Sequence, residues 1–320
     1  MNRRTSDARP WWSQDTHKGM LLGFVGVTVF ALTLPMTRLA TGTVDAPQMS
    51  GVFVALGRAV VAAVLSAFFL LATRAPWPRR EDLAPLVLTS AGVVFGFPLF
   101  TSVAMRYVEA VHASVIVGVL PLATAAVAAL LYRQRPSVGF WLCAVLGSAL
   151  VVGFALLRSG QPGLALHPAD GLLLAAMACA AVGYAYGARL SQRMRAEHVI
   201  CWALVLALPI TLPLALLHWP VGELKPSAWG GFAYTAVFSM WLGFFAWYRG
   251  LALGGTVRVS QVQLVQPFLG MLFAIPLLGE QLDGLTLGFA LAVIATVFIG
   301  KRMPVQTVRS RANTLSSRTT

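Results

Sequence analysis

The chain alternates long apolar segments with short polar ones. Apolar segments of helix length occur ten times, at about 19–39, 48–72, 83–104, 110–132, 138–157, 170–190, 199–218, 229–251, 253–277 and 282–300. An α-helix rises about 1.5 Å per residue, so about 20 residues cross the roughly 30 Å of hydrocarbon in a bilayer. The pattern therefore predicts an all-α integral membrane protein with ten transmembrane helices.

Two of these segments share the same internal spacing. Ser114 precedes Pro121 by seven residues in the fourth segment, and Ser260 precedes Pro267 by the same interval in the ninth. A constant offset of this kind indicates an internal duplication. Five segments lie on each side of the polar linker 158–169, so the second copy crosses the membrane in the opposite sense. We expect two inverted five-helix repeats, an arrangement typical of transporters.

Basic residues mark the ends of the apolar segments and indicate the topology. Of the 24 Lys and Arg residues, four lie in outer loops and Arg58 lies inside the second segment, so the remaining 19 fall on one side. The four outer residues are Arg38, Arg106, Arg158 and Lys225. Because cytoplasmic loops carry the excess of Lys and Arg, both termini are predicted to be cytoplasmic, in a prokaryotic plasma membrane.

The chain is predicted to consist of five parts. In chain order they are a cytoplasmic arm (1–17), the first five-helix repeat (18–157), a linker (158–169), the second repeat (170–302) and a tail (303–320). We expect the tail to be disordered because it is polar, basic and rich in Ser and Thr.

Composition excludes several other classes of protein. The chain is 58% hydrophobic and 11% charged, with a mean hydropathy of +0.75, which is unlike a soluble domain. The net charge of +13 is spread over loops rather than clustered on one module, so nucleic acid is not an expected partner. The expected partners are the lipid bilayer and a small-molecule substrate, and a homodimer stays open. Cys143, Cys179 and Cys201 lack metal-ligand spacing. No catalytic motif is found, so we expect neither an enzyme nor a metal or cofactor.

Polar residues near the middle of the ninth segment are candidates for a solute path. Ser260, Gln263 and Pro267 lie on one helix face, and Gln266 is close to it. Glutamines in mid-membrane need partners, so they either bond to neighbouring helices or face the path. Pro121 and Pro267 each free a backbone carbonyl, which suits a cavity, although both could simply shape packing. The equivalent face of the fourth segment, with Ser114 and Pro121, is less polar.

Aromatic residues suggest a wall of the same path. Trp241 lies near the centre of the eighth segment and pairs with Phe95 under the repeat offset. Tyr184 lies in the sixth segment within Gly183-x-x-x-Gly187, a spacing that favours close helix packing. Such rings would grip an apolar or aromatic solute, but packing against other helices is an equally open interpretation.

Two ionisable residues could act inside the membrane. Arg58 lies about ten residues into the second segment, where a charge must face protein or water. It could attract a substrate carboxylate, but the sequence favours a structural bond to backbone carbonyls of a broken helix. His112 could carry a proton, although it lies near a helix start, where snorkelling is easy.

Together these residues resemble the EamA-type family of the drug/metabolite transporter superfamily. The motif is a helix with a mid-span proline that ends in Gly-Glu, here Gln266-Pro267 through Gly279-Glu280, and Arg58 also matches the family pattern. The first copy departs from it, with Arg133-Gln134 in place of Gly-Glu.

The resemblance implies a fold and a function. It implies a cavity lined by the first, third, fourth, sixth, eighth and ninth helices, with Trp241, Phe95, Gln263 and Tyr184 as cavity residues. Structural or coupling roles are expected for Arg58, His112 and Glu280. We expect a secondary transporter that exports small metabolites, such as amino acids or related compounds, by alternating access. An importer or a proton-coupled carrier is the alternative, and a membrane enzyme or a scaffold is disfavoured.

Overall fold

The computed structural model describes residues 14–107, 113, 117–159, 168–278, 284–300 and 302–307. Helices make up most of these residues. In the first half they are α1 (Gln14–Ala31), α2 (Thr33–Thr41), α3 (Gly51–Ala72), α4 (Arg80–Ser90), α5 (Phe97–Ala104), α6 (Leu120–Leu131) and α7 (Val138–Ser159). In the second half they are α8 (Pro168–Leu190), α9 (Ala196–Leu217), α10 (Pro226–Tyr234), α11 (Gly243–Gly254), α12 (Thr256–Val259), α13 (Gln266–Leu278) and α14 (Gly284–Gly300).

Three irregular helical turns interrupt the longer stretches. A π-helical turn, Ala91–Gly96, joins α4 to α5, and a second, Thr235–Leu242, joins α10 to α11. A 3₁₀ turn, Ser260–Val265, lies between α12 and α13. The 3₁₀ turn has a physical cause, since Pro267 has no N–H for the Gln263 carbonyl. The Gln266 N–H donates to that carbonyl instead.

Six helical stretches are long and apolar enough to cross a membrane. They are Gln14–Thr41, Gly51–Ala72, Arg80–Ala104, Pro168–Leu190, Ala196–Leu217 and Pro226–Gly254. Three shorter apolar helices are Leu120–Leu131, Val138–Phe154 and Leu287–Gly300. Large apolar side chains such as Leu71, Leu130 and Leu142 are exposed on the outside of the bundle. In lipid this is the expected distribution, so the prediction of a helical membrane protein is confirmed in its main features.

Close helix packing depends on glycines. α1 packs on α11, where a Cβ added to Gly19 would lie 2.6 Å from the Gly254 Cα and 2.9 Å from the Gly250 carbonyl oxygen. α8 packs on α4, the π-helical turn and α5, where a Cβ on Gly183 would lie 2.6 Å from Val93 Cγ1. Small residues allow such backbone approach in membrane bundles. The packing role expected of the Gly183-x-x-x-Gly187 spacing is therefore what the structure shows.

Parts of the predicted boundaries differ from the structure. α1 begins at Gln14, inside the predicted arm, and α7 extends to Ser159 while α8 begins at Pro168, so the linker is shorter than expected. Within the tail, Val305–Thr307 forms strand β2, antiparallel to strand β1, Gln134–Pro136. β1 directly precedes α7, and β2 follows α14. Because α7 and α14 pack together, the two strands lie side by side, and the Ser137 N–H donates to the Pro304 carbonyl. These residues are ordered, and the prediction of disorder was wrong for them.

Candidate functional site

A small cavity lies at the centre of the bundle, between elements of both halves of the chain. Its volume of about 30 Å³ is room for about two water molecules. The polar lining consists of Thr33, Arg58, Tyr184, Ser239, Gln263 and Gln266, and the apolar lining consists of Phe30, Leu34, Val93, Phe97, Val117, Leu120, Met240 and Phe244. The two halves contribute unequally. Among the described residues, every polar one in the lining except Thr33 and Arg58 comes from the second half.

Arg58 is the charged residue of this lining. It lies in α3, a helix whose first turn is fixed by the Ser50 side chain accepting from the Phe53 N–H. Arg58 is only 2% exposed, and its Nε and Nη1 atoms have no hydrogen-bond partner among the described residues. The bond to backbone carbonyls that the sequence favoured is therefore not made by these two nitrogens. A buried charge without a partner costs several kcal/mol, so a partner for the guanidinium would stabilise the protein.

Tyr184 and Gln263 lie beside Arg58. The Tyr184 hydroxyl is within interaction range of the Gln263 side chain and of the Arg58 guanidinium. Both residues are about 5% exposed, and the Gln263 Oε1 has no hydrogen-bond partner in the described part of the chain. The cavity thus presents unpaired donors on one helix and an unpaired acceptor on another.

The other polar lining residues hold the two halves together. The Gln266 Nε2 donates to the Phe30 carbonyl at 3.3 Å, and the Thr33 and Ser239 hydroxyls lie 2.9 Å apart. Gln266 therefore has a structural partner as well as a place at the cavity. Thr33 and Ser239 were not singled out by sequence reasoning, because single hydroxyls in apolar segments are common and usually bond to their own helix.

Ser260, Pro121 and Pro267 do not line the cavity. Ser260 is fully buried, and its hydroxyl donates to the Val257 carbonyl at 3.1 Å and more weakly to the Pro121 carbonyl at 3.5 Å. The Gln261 Nε2 donates to the same Pro121 carbonyl at 3.1 Å. These contacts join α6 to the 3₁₀ turn, so these residues shape the crossing of the two helices.

Trp241 and Phe95 also lie outside the lining. The Trp241 ring packs edge-on against Phe69 and Phe245, at 6.2 and 5.2 Å, and Phe95 packs against the core. Both residues belong to π-helical turns, which have more residues per turn than an α-helix. The extra residue changes which side chain faces inward, so Met240 reaches the cavity and Trp241 does not. A sequence pattern with helical spacing gives no signal of this shift.

The aromatic wall of the cavity is built from other rings. The Phe30 and Phe244 centroids are 5.2 Å apart, and behind them Trp247 packs edge-on against Tyr184 at 5.4 Å. The Tyr248 hydroxyl donates to the Gly183 carbonyl at 3.2 Å. The density of aromatic residues in α11 was visible in the sequence, although the residues that face the cavity were not.

Three predicted site residues, Ser114, His112 and Glu280, lie outside the described residues. Among the residues that are described, no group of His, Cys, Asp or Glu could hold a metal ion. The lining residues that the structure describes include no nucleophile with a neighbouring base. The chemistry that this cavity offers is binding through one cation, a few neutral polar groups and several rings.

Comparisons with known proteins agree with the architecture. The EamA-like transporter family model matches the chain twice, over residues 17–156 and 167–300. The chain is 40% identical over 295 residues to the uncharacterized transporter YdeK of Bacillus subtilis (strain 168), covering 90% of this chain and 98% of that protein. A protein of known crystal structure, 18% identical, superposes with a TM-score of 0.68 over 88% of this chain and 97% of its own, which supports the fold. The chain therefore belongs to the EamA-like transporter family.

Proposed function

We propose that the protein is a secondary transporter that exports small metabolites, such as amino acids or related compounds, across the plasma membrane by alternating access. The observation that carries this proposal is the enclosed central cavity, whose lining comes from both halves of the chain. A buried site between two halves can be exposed to each side in turn if the halves rock against each other. The direction of transport rests on the family resemblance.

A ten-helix arrangement of two inverted repeats is part of the proposal. The offset between Pro121 and Pro267 is 146 residues, and it carries the π-helical turn Ala91–Gly96 onto 237–242, inside the second π-helical turn, Thr235–Leu242. Two separate matches to one family model fit the same division. Because π-helical turns are rare, their occurrence at equivalent positions is unexpected unless the two copies have the same backbone conformation.

Helix contacts also support the repeats. Under the repeat offset, the span α1–α2 of the first half is equivalent to α8 of the second. The span α4–α5 is likewise equivalent to the span α10–α11. The contact of α1 with α11 is therefore equivalent to a contact of α8 with the span α4–α5. Both contacts are present. The contacts of α3 with α9 and of α7 with α14 each join equivalent elements. This is the pattern that a two-fold pseudo-symmetry axis produces.

Polar contacts hold each end of the bundle closed. At the end predicted to be cytoplasmic, Arg193 pairs with Asp82 at 3.4 Å and Arg249 pairs with Glu197 at 3.3 Å. At the opposite end, the Lys225 N–H donates to the Gln48 Oε1 at 2.9 Å. The Arg193–Asp82 and Lys225–Gln48 contacts join the two halves, so in the proposed mechanism each is lost when its end opens while the other persists.

Metabolite profiling tests the proposal. Cells that overproduce the protein are compared with cells that make Gln263→Leu, which removes a cavity amide, and with Phe238→Leu as a matched control. Phe238 is 47% exposed on the outside of the same π-helical turn that carries Ser239. We expect a small metabolite to accumulate in the medium with the wild type and the control but not with Gln263→Leu. Identical metabolite profiles, together with no uptake into proteoliposomes, would contradict the transport proposal.

A further inference from the structure

No described acidic residue of the lining balances the charge of the cavity. Arg58 lines the cavity, and no Asp or Glu does so among the residues the structure describes. We infer that the cavity binds a small organic monoanion, whose carboxylate pairs with Arg58 and whose neighbouring hydroxyl donates to Gln263. This inference deepens the transport function proposed above and rests on it.

The first step of the argument is the state of the guanidinium. Arg58 is 2% exposed, and two of its nitrogens lack an acceptor among the described residues. A guanidinium presents planar donors that match a carboxylate with two parallel hydrogen bonds. Burial strengthens this attraction and also makes an unfilled site costly. A carboxylate balances the charge and can accept from one of the unpaired nitrogens together with the neighbouring Nη2.

The second step concerns the rest of the ligand. The Gln263 Oε1 is buried without a donor among the described residues, and Gln263 lines the cavity together with Arg58. A hydroxyl next to the carboxylate can donate to this oxygen. An ammonium in that position would also donate, but a zwitterion would leave the positive charge of Arg58 unbalanced in a buried site. The site therefore favours a hydroxy acid over an amino acid of the same size.

The third step concerns size. The apolar lining, including Phe30, Phe97, Met240 and Phe244, closes around a cavity of about 30 Å³. Because this space holds only about two water molecules, a short acid requires less widening of the cavity than a large ring system does. L-lactate is the simplest probe that carries a carboxylate, a neighbouring hydroxyl and a short apolar body.

Thermal unfolding of the full-length protein in nanodiscs measures binding directly. L-lactate is compared with lactamide, which replaces the carboxylate by a neutral amide, with propionate, which lacks the hydroxyl, and with L-alanine, the zwitterion. We expect a saturable rise of Tm with lactate, a smaller one with propionate and with alanine, and none with lactamide. An equal response to lactate and lactamide, or no response to lactate, overturns the inference.

Two substitutions of Arg58 identify the binding group. Loss of a charge-assisted hydrogen bond in Arg58→Gln is expected to weaken lactate binding at least about tenfold. Arg58→Lys keeps the charge but not the planar donors, so we expect intermediate affinity. Arg79→Gln is the matched control, since Arg79 is an exposed arginine that pairs with Glu81 and is not among the cavity lining residues, and it should bind lactate normally. Unchanged affinity in Arg58→Gln overturns the inference.

Gln263→Glu provides a test that does not depend on removing Arg58. The change keeps the size of the side chain and places a carboxylate beside the guanidinium, where it would act as an internal ligand. We expect this variant to have a higher Tm than the wild type and to lose the response to lactate. A lactate response equal to that of the wild type contradicts the proposed site even if Arg58→Gln fails to fold.

The two proposals fail in different ways. If the wild type exports another metabolite but does not distinguish lactate from lactamide, transport stands and the monoanion site is wrong. If lactate binds through Arg58 but no solute crosses the membrane in cells or proteoliposomes, the site stands and the transport proposal is wrong.

Discussion

Replacement of Arg58 by methionine should stabilise the protein. The side chain is fully surrounded in α3, and two of its nitrogens have no partner among the described residues. Methionine has a similar length without the charge and fits irregular apolar space. An arginine at mid-membrane costs about 2.5–3.5 kcal/mol on insertion scales. Allowing for packing lost with the longer side chain, we expect Arg58→Met to gain about 2 kcal/mol.

The expected change is large enough to measure. A gain of about 2 kcal/mol corresponds to a rise in Tm of roughly 4 °C for a protein of this size class. The assay is thermal unfolding of ligand-free protein in nanodiscs, followed by intrinsic tryptophan fluorescence. The variant should be more stable but inactive in transport, because sites that bind ligands often reduce stability.

Arg106→Met is the matched comparison for this experiment. Arg106 donates from Nη2 to the Met49 carbonyl at 3.0 Å and to the Thr41 carbonyl at 3.5 Å, so its loss should lower the stability by about 1–3 kcal/mol. If Arg58→Met lowers the Tm as Arg106→Met does, then Arg58 makes structural hydrogen bonds in the protein in nanodiscs. The reasoning that links the cavity to a ligand would then be refuted.

Three further predictions concern packing, pairing and gating. Gly19→Ala places a methyl group against the backbone of α11 and should cost about 1–3 kcal/mol in unfolding measurements, whereas Gly230→Ala, with open space around it, should be nearly neutral. Thr33→Val and Ser239→Ala should show a coupling of about 0.6 kcal/mol in a double-mutant cycle, and additive effects would exclude the hydrogen bond between them. Arg193→Gln removes an ion pair to the carboxylates of α4, so labelling of a cavity cysteine from the cytoplasmic face should rise by up to about fivefold, and an unchanged labelling rate would exclude a gating role.

Sequence patterns predicted the class of protein better than they predicted the site. Apolar segment length depends on the bilayer alone, and the helical membrane protein that it predicted is confirmed. The proline motif ending in Glu280 led to the correct family. The predicted boundaries of the five parts of the chain were less accurate where contacts between residues distant in sequence decide them. The pairing of β1 with β2, within the predicted tail, is an example.

Of the residues that the sequence singled out for the site, some lie in the cavity lining and others do not, and their roles in binding stay predictions. Arg58, Gln263 and Tyr184 line the cavity because a polar group in a membrane core has few other places to lie. Trp241 and Phe95 fit many positions, and the π-helical turns that rotate them away from the cavity leave no pattern in the sequence. The functional roles of all these residues remain predictions.

Cysteine accessibility from each face of the membrane tests the alternating-access claim most directly. A single cysteine is placed at Ser239, which lines the cavity and is 6% exposed, in a protein whose three native cysteines are replaced. A membrane-impermeant thiol reagent is then applied to one face or the other. Alternating access predicts labelling from both faces without leakage of ions through the protein. Absence of labelling from both faces would indicate a permanently closed bundle and contradict the transport mechanism.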